Sequence, residues 1–445
     1  MAEVIPFKGI LYNTEKIGSL ADVATPPYDV ISEEEQINFH NRHPYNIIRL
    51  ILGNETASDD EKNSRYTRAA AFFNKWITDE VLVQDNTPAF YLSSVEFSMG
   101  KKVIRRFGIV ACVRLEPFEK GIILPHEKTF SKVKSERLQL MKACHANFSP
   151  VFSLFQGKID MLSNLERSAS SIDAHLNFID DKGHKHLLWK ITDPVIQQNI
   201  SNAYKDKILY IADGHHRYET ALNYKEWVSG NDSEFSETHP ANFIMMYLCS
   251  MEAPGLIILP AHRLLTGVME SNLSGFEHKA SKYFDITQIP FDPKAPDKAT
   301  GNFFSALRSE SMSNKIGVLI KNRNIFYILS LKQQVMETKY GSELPESLMR
   351  LDVTVLTKLI LPEIVGFDQG GFDDEKLIAY TSSDTDAMEQ TYSGKCDIAF
   401  ILNPTKIEQV QRIAGEGLIM PRKSTYFYPK VMTGEVINKL SLAAT

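Results

Sequence analysis

Hydrophobic and polar positions along the chain form short blocks with two different periods. The apolar runs "NFIMMYLCSM" and "GLIILPAHRLL" predict buried strands. "SEEEQINFHNRH" predicts a helix with Ser32 as its N-cap, and 58–82 has the spacing of an amphipathic helix. "SKVKSERLQLMKAC" predicts a basic helix. Turns at "SMGKK" and at Asp-Lys-Gly within "LNFIDDKGHKHLLWKITD" predict two hairpins.

The C-terminal third alternates between helical and strand-like patterns. "VTVLTKLILPEIVG" predicts a helix, "EKLIAYTS" and "CDIAFILN" predict strands, and "TKIEQVQRIAGEG" predicts a helix that ends at Gly415 or Gly417. The Pro-rich "PFDPKAPDKATG" marks a boundary or an exposed loop. We therefore predict an α+β protein with an N-terminal segment at 1–104, a core at 105–265 and a C-terminal α/β domain at 266–445.

Composition narrows the possible classes of protein. The chain has 445 residues, of which 43% are hydrophobic and 23% charged, so two or three globular domains are expected. A net charge of −6 disfavours nucleic acid as a partner. The four cysteines form no CxxC pair, which favours free thiols in a reducing compartment. Without an apolar run of about 18 residues or a signal peptide, we expect a cytoplasmic protein that does not span a membrane.

The stretch "YIADGHHRYETALNY" concentrates polar chemistry where a strand passes into a helix. Gly214 permits an unusual backbone, and the helix start offers unpaired N–H groups to an anion. Arg217 can hold phosphate oxygens in a bidentate fork, and His215 and His216 add donors or a proton-transfer group. The alternative is an ordinary turn with Asp213 as helix cap, but so many polar groups in five residues favour a phosphate site.

A second candidate follows the apolar run "GIILP". Glu127 could deprotonate a hydroxyl or bind Mg²⁺, and Lys128 could neutralise a transferring phosphoryl group. His126 precedes them and is a candidate for the substrate pocket. The alternative is a charged loop in which Glu127 begins a helix.

Four shorter stretches carry further candidates. Tyr28 and Asp29 follow two prolines and could line a substrate pocket, or form a kink in which Asp29 caps a helix. Asn147 and Ser149 could contact a ligand or form a turn. His262 and Arg263 end a buried run and could reach phosphate, or form a surface ion pair. "MPRKSTYFYPK", with Lys423 and Ser424, could be a second anion-binding loop or an exposed basic strand.

His184 and His186 lie two apart on a predicted strand, on the same face. They could bind a metal, but no third ligand is evident in the sequence. A position on the surface of the hairpin is therefore favoured.

The chain resembles the family known as domain of unknown function 1015, often labelled ParB-like. The stretches that carry the resemblance span nearly the whole chain: "PPYDV", "HPYNIIRL", "LPHEKT", "NFSPVF", "ADGHHRYETAL" and "MPRKSTYFYPK". Within it, "DGHHR" and the earlier "PHE" resemble the phosphate box and the base motif of the ParB/sulfiredoxin-superfamily enzymes that phosphorylate free serine. The segment between the two motifs looks longer here than in those compact kinases.

The resemblance implies a ParB/sulfiredoxin-like core and gives each candidate a role. Glu127 would be the general base, with His216 and Asp213 also catalytic. Phosphate or nucleotide would be bound by Gly214, His215, Arg217, Lys128, Thr129, His262 and Arg263. Mg²⁺ and a phosphoryl donor or acceptor, either ATP/ADP or pyrophosphate, are the implied cofactors.

Three functions are compatible with these features. The first is a phosphotransferase or phosphatase that acts on a small hydroxyl compound, with free serine or phosphoserine as the best candidate. The second is a nucleotide-switched, ParB-like regulatory or DNA-associated protein, and the third is a nuclease. No helix-turn-helix or basic face is evident, so the first is favoured.

Overall fold

The computed structural model describes residues 1–60, 62–129, 131–169, 171–310, 313–367 and 377–440. The strands are β1 (Val4–Ile5), β2 (Ile10–Tyr12), β3 (Leu82–Gln84), β4 (Phe90–Met99), β5 (Lys102–Arg114), β6 (Ile123–Leu124), β7 (Ala146–Asn147), β8 (Val151–Phe155), β9 (Leu176–Ile179), β10 (Lys185–Ile191), β11 (Leu209–Asp213), β12 (Phe243–Ser250), β13 (Ile257–Leu259), β14 (His262–Leu265), β15 (Phe284–Pro290), β16 (Lys315–Ile320), β17 (Ile325–Leu331), β18 (Ile378–Thr381), β19 (Ile398–Ile401), β20 (Tyr426–Tyr428) and β21 (Asn438–Lys439).

The α-helices are α1 (Thr14–Ile17), α2 (Glu33–Arg42), α3 (Ile48–Ile51), α4 (Arg65–Thr78), α5 (Ser131–Cys144), α6 (Asp160–Ala169), α7 (Pro194–Tyr204), α8 (His215–Asn231), α9 (Glu270–Ser274), α10 (Phe276–Ala280), α11 (Asp297–Leu307), α12 (Val335–Tyr340), α13 (Glu346–Met349), α14 (Asp352–Val355), α15 (Asp384–Tyr392) and α16 (Ile407–Gly415). A π-helical stretch, Leu356–Val365, follows α14. Short 3₁₀ turns lie at Leu20–Asp22, Tyr28–Val30, Phe118–Lys120 and Pro240–Asn242. Every helix of the described residues is too short or too polar to cross a lipid bilayer.

The chain forms two compact units, and each is discontinuous in sequence. The first contains Met1–Pro125, Thr129–Ile257 and the segment from Pro429 onward, and the second contains His126–Lys128 and Ile258–Tyr428. The predicted division into independent domains at 104 and 265 stays a prediction.

The first unit is built on a mixed sheet in the order β6-β11-β8-β12-β5-β4-β10-β9, with β1 paired to β5. β11 pairs parallel with β6 and antiparallel with β8, so it lies inside the sheet near one edge. Apolar side chains of these strands form a core with α8, to which Ile211, Tyr218 and Tyr224 contribute. α5 packs against both α4 and α8. This packing holds the junction between β11 and α8 in place.

The second unit is built on a sheet in the order β15-β17-β16-β19-β14-β18. The predicted alternation of strands and helices is present here in β18, α15, β19 and α16. All the described pairings of this sheet are antiparallel. β18 and β19, which are connected by α15, do not pair with each other, because β14 lies between them. The fold is therefore α+β.

Several local predictions are confirmed. Ser32 caps α2 in a capping box with Glu35, and the two predicted hairpins are β4–β5 and β9–β10. α16 ends at Gly415, and Gly417 then has a positive φ of 68°. All four cysteines are free and buried. Residues 368–376, with the start of the predicted strand "EKLIAYTS", lie outside the described residues.

Candidate functional site

The junction between β11 and α8 depends on Gly214. Its φ is +92°, in the left-handed region, and it is the N-cap residue of α8. A Cβ atom at this position would lie 2.8 to 2.9 Å from the guanidinium of Arg217. Any other residue would be strained in its backbone here and would push the Arg217 guanidinium aside. As a glycine, the N-cap residue itself has no side chain with which to cap the helix start.

Asp213 ends β11 beside a shift in the register with β8, between Ile211 and Asp213. Such irregularities turn a side chain away from the regular pleat. The Asp213 carboxylate accepts hydrogen bonds from Lys430 on one oxygen and from Arg217 on the other, the latter at 2.6 Å. All three side chains are nearly buried, with 11 to 13% of their surface exposed.

The charge state of Asp213 follows from these two cations. Burial alone would raise the pKa of its carboxyl, but Lys430 and Arg217 lower that pKa well below its usual range. Asp213 is therefore ionised at neutral pH. Two cations around one carboxylate leave an excess positive charge at the start of α8, where the helix dipole also favours an anion.

Arg217 is held from two sides. Its guanidinium donates to the carbonyl oxygen of Pro150 as well as to Asp213. Arg217 also lines a pocket of the first unit, together with Tyr28, Ile51, Arg137, Leu140, Met141, Ala146, Asn147, Phe148, Ser149, Thr220 and Ile244. Three residues predicted for the substrate pocket, Tyr28, Asn147 and Ser149, thus lie around the predicted phosphate-binding arginine.

The polar groups of this pocket are also bonded within the protein. Asn147 accepts hydrogen bonds from the backbone N–H of Met245 and from the Asn438 side chain, while Ser149 bonds Thr433 at 2.7 Å. The Arg137 guanidinium lies 4.2 Å from the centre of the Tyr28 ring.

Burial raises the pKa of Tyr28 to about 12, so its hydroxyl is neutral at physiological pH. Asp29 follows on the same 3₁₀ turn and is exposed, and it does not line the pocket. Of the pair, Tyr28 is thus the residue that lines the pocket.

The two histidines of the turn differ in exposure. His215 is buried and lies close enough to Asp213 to be one of the smaller influences that lower the pKa of its carboxyl. His216 is half-buried. Thr129, predicted to bind phosphate, donates to Glu219 of α8 at 2.8 Å, and Lys134 binds the other oxygen of the same carboxylate at 2.6 Å. Thr129 therefore lies beside α8 at Glu219, two residues after Arg217.

The remaining candidates belong to the second unit. Glu127 forms a parallel bridge with Met420, and His126 bonds the hydroxyl of Thr425 at 3.1 Å. Glu127 is half-buried and lies near enough to Arg263 to raise the pKa of its guanidinium, although burial has the larger, opposite effect and lowers it to about 10. Lys128 is exposed.

His262 and Arg263 are buried on β14, where the alternative of a surface ion pair is wrong. β14 lies between β18 and β19, inside the second sheet. Arg263 donates to the backbone carbonyls of Arg422 and Lys423, both at 3.0 Å. His262 bonds Asp384 at 3.1 Å and accepts the backbone N–H of Leu402. These contacts hold the loop that contains Lys423.

Lys423 has a positive φ of 55°, and Ser424 is buried and donates to the carbonyl of Pro421. The predicted residues thus form two groups. One surrounds Arg217 in the first unit, and the other surrounds Arg263 in the second. Whether Glu127 serves the group around Arg217 stays a prediction.

Sequence reasoning missed three contributors to the first group. Lys430 belongs to the predicted basic loop, and neither Arg137 nor the Pro150 carbonyl stands out in the sequence. The sequence associates Arg217 with Asp213, which lies four residues earlier and pairs with it, but no such local spacing connects Arg137 or Pro150 with them. No comparable signal exists for Lys430, which is 217 residues from Asp213.

The family model described as "Protein of unknown function (DUF1015)" matches residues 4–354. No curated protein matches the chain. Among solved structures, a free serine kinase in complex with ADP is 13% identical, over 69% of this chain and 84% of that one, with a TM-score of 0.33. SbnI with a C-terminal truncation, from Staphylococcus aureus, is 10% identical over 74% and 86%, with a TM-score of 0.32. A conserved hypothetical protein from Pyrococcus furiosus is 12% identical over 70% and 89%, with a TM-score of 0.32. TM-scores this low do not assign the activity of any of these proteins to this chain.

Proposed function

The chain belongs to the DUF1015 family, and from that premise we propose that it is an enzyme that transfers a phosphoryl group to or from a small hydroxyl compound. The proposed substrate is free serine or phosphoserine. The observation that carries the proposal is the group at the start of α8, where Gly214, Arg217 and Lys430 surround the Asp213 carboxylate.

The chemistry of this group suits a phosphate. Helix N–H groups and two cations attract an anion, and the missing side chain of Gly214 lets it approach the backbone. Asp213 keeps both cations in place because each of its carboxylate oxygens is bonded to one of them. Its single negative charge offsets only one of the two positive charges. A phosphate oxygen would share Arg217 and Lys430 with that carboxylate. The pocket lined by Tyr28, Asn147 and Ser149 lies beside Arg217 and would take the small polar substrate.

The roles of Glu127 and His216 rest on the resemblance of "LPHEKT" and "DGHHR" to the free serine kinases. Glu127 would accept the proton of the substrate hydroxyl, and His216 would bind the transferring group. In the reverse direction, Glu127 would return the proton.

Mg²⁺ would enter with a phosphorylated ligand such as ATP, ADP or pyrophosphate. Both oxygens of Asp213 are already bonded to cations, so Asp213 does not suit a metal, whereas the half-buried Glu127 offers one carboxylate. One or two carboxylates and the substrate phosphates are the usual Mg²⁺ ligands in such enzymes. The ion would offset the charge that develops during transfer.

Calorimetry with Arg217→Ala tests the phosphate site. We expect the affinity for ADP, pyrophosphate or phosphoserine to fall about ten- to a hundredfold, because charge-assisted hydrogen bonds are lost. Arg114→Ala is the matched control, since Arg114 also pairs with a carboxylate of the first unit, that of Glu3. Equal affinities for Arg217→Ala and the parent protein would contradict the proposed site.

Glu127→Gln tests the base separately, with serine as acceptor and each donor in turn. The substitution keeps the shape of the side chain, so we expect phosphate-ligand affinity to stay the same or rise while turnover falls about 10²–10⁴-fold. Normal turnover would exclude Glu127 as the base and would leave the phosphate site standing.

A further inference from the structure

A buried cluster at the end of the β9–β10 hairpin lies apart from the residues considered so far. Asp180 follows β9, while His184 and His186 come at the start of β10. One carboxylate oxygen of Asp180, Oδ2, is 3.1 Å from His184 Nδ1 and also 3.1 Å from His186 Nε2. Asp180 is thus the third ligand-type residue that the sequence did not reveal, and the predicted surface position of the two histidines is wrong, because both are buried.

The spacing of these atoms is close to that around a metal ion. One ligand atom from each residue lies within 4.8 Å of the other two. In a tetrahedral Zn²⁺ site with bonds of about 2.0–2.2 Å, neighbouring ligand atoms are about 3.3–3.6 Å apart. Small side-chain movements would therefore place all three atoms at bonding distance from one ion.

The surrounding residues orient each ligand. The other oxygen of Asp180 accepts the backbone N–H groups of Lys182 and His184, both at 2.9 Å, which leaves Oδ2 directed at the two rings. Glu435 lies 3.2 Å from His186 Nδ1, the ring nitrogen that faces away from Asp180, and also accepts a bond from Ser93. Metal-binding histidines are commonly held by such a carboxylate on their second nitrogen.

The environment is shielded from water. The side chains of His184, His186 and Glu435 are at most 7% exposed, and that of Asp180 is 12% exposed. The Phe178 ring stacks on His186 at 4.8 Å, and the Phe97 ring meets His184 edge-on at 6.0 Å. An apolar surrounding of this kind strengthens the attraction between an ion and its ligands.

We propose that Asp180, His184 and His186 bind one divalent transition metal ion of the Zn²⁺ class, with Glu435 holding the His186 ring. Two imidazoles and a carboxylate suit Zn²⁺, whereas Mg²⁺ and Ca²⁺ prefer oxygen ligands alone. Because Glu435 belongs to the C-terminal segment, the ion would fasten the β9–β10 hairpin to that segment. The proposal is independent of the phosphotransferase function.

Metal binding can be measured on the full chain, purified without a histidine tag and stripped with a chelator. We expect one Zn²⁺ per chain in a competition titration, a visible Co²⁺ absorption band, a raised thermal midpoint with Zn²⁺, and none of these with Mg²⁺ or Ca²⁺. A parent protein that takes up no Zn²⁺ or Co²⁺ would overturn the proposal, since the cluster would then be an ion-pair network alone.

Variants locate the ion. His184→Gln combined with His186→Gln should abolish binding, whereas His239→Gln should keep it, because His239 is a buried histidine with its own carboxylate partner, Asp232, 3.4 Å away. Glu435→Gln, which keeps the three ligands, should weaken binding about 10–100-fold. If the double variant folds and still binds one Zn²⁺, the site is elsewhere and the proposal is wrong. If the double variant does not fold, the Glu435→Gln titration decides, and unchanged affinity overturns the proposal.

Discussion

At the scale of single residues, Gly214 is the position where the backbone and the site depend on one another most directly. Gly214→Ala would place a methyl group against the Arg217 guanidinium and impose a left-handed backbone on alanine. We expect the free energy of unfolding to fall by at least about 1–2 kcal/mol, which is the cost of that conformation alone. Phosphate-ligand affinity should fall as well, because Arg217 is displaced. Urea unfolding and calorimetry measure the two effects.

Gly230→Ala is the matched control for this prediction. Gly230 lies in the same helix, α8, and a Cβ atom there would meet nothing within 4 Å. Alanine favours the helix by about 0.5–1 kcal/mol over glycine, so this variant should be as stable as the parent or more stable, with unchanged affinity. A loss of stability in both variants would show that α8 is sensitive to any added methyl group, and not that Gly214 is special.

The Asp213 carboxyl gives a prediction about acid stability. Its pKa in the folded protein lies well below the unfolded value of about 3.9. The ionised carboxylate therefore stabilises the fold above about pH 4, and this contribution is lost as the pH falls toward the folded pKa. Asp213→Asn removes the titration but leaves two cations without their partner. We expect it to be less stable than the parent at pH 7 and to show a shallower loss of stability below pH 4.

Urea unfolding at a series of pH values measures this difference. Asp180 also has a pKa lowered by its histidine partners, against the opposing effect of burial, so some acid dependence should remain in Asp213→Asn. Asp29→Asn is a suitable control because Asp29 is exposed. Parallel stability curves for Asp213→Asn and the parent would contradict the assigned charge state.

Residue chemistry was predictable where partners are close in sequence. Asp213, Gly214 and Arg217 could be associated because they lie within one helical turn of each other. His262 and Arg263 could not be placed, because their burial results from β18 and β19, more than 100 residues later in the chain. Polar residues at the end of an apolar run look the same in sequence whether a further strand covers them or not.

At the scale of elements, the segment that follows β20 completes the first unit. Lys430→Met removes one of the two cations bonded to Asp213 and leaves a nearly buried carboxylate with Arg217 as its remaining ion-pair partner. We expect the free energy of unfolding to fall by about 1.5–3 kcal/mol, as for other charged hydrogen bonds, and phosphate-ligand affinity to fall too. Lys439→Met, on β21 of the same segment, should change neither. Unchanged affinity in Lys430→Met would remove Lys430 from the proposed site.

Elements were predictable wherever local rules decide them. The N-cap of α2 at Ser32 and the turn of β4–β5 are set by residues three or four apart, and both were found where predicted. The order of strands was not predictable, because the parallel pairs β6–β11 and β8–β12 join segments about 90 residues apart. Hydrophobic pattern shows that a strand is buried, but it does not identify the neighbouring strand.

At the scale of the whole molecule, charge separates the enzyme from the regulatory alternative. With a net charge of −6, we expect negligible binding to duplex DNA at physiological salt. Fluorescence anisotropy with labelled duplexes of several sequences, at about 0.15 M and at lower salt, measures this. Tight, sequence-dependent binding at the higher salt would favour the DNA-associated alternative over the phosphotransferase.

The discontinuity of the first unit has a consequence for how the protein is made. Residues 429–440 of this unit, which include β21, are synthesised only after Ile258–Tyr428 of the second unit. Synthesis at about 5–20 residues per second means that the edges later covered by residues 429–440 stay exposed for many seconds. Until then Asp213 lacks its contact with Lys430, and Ser149 lacks its hydrogen bond with Thr433. The nascent chain would thus be most exposed to chaperones and proteases at the site that residues 429–440 complete.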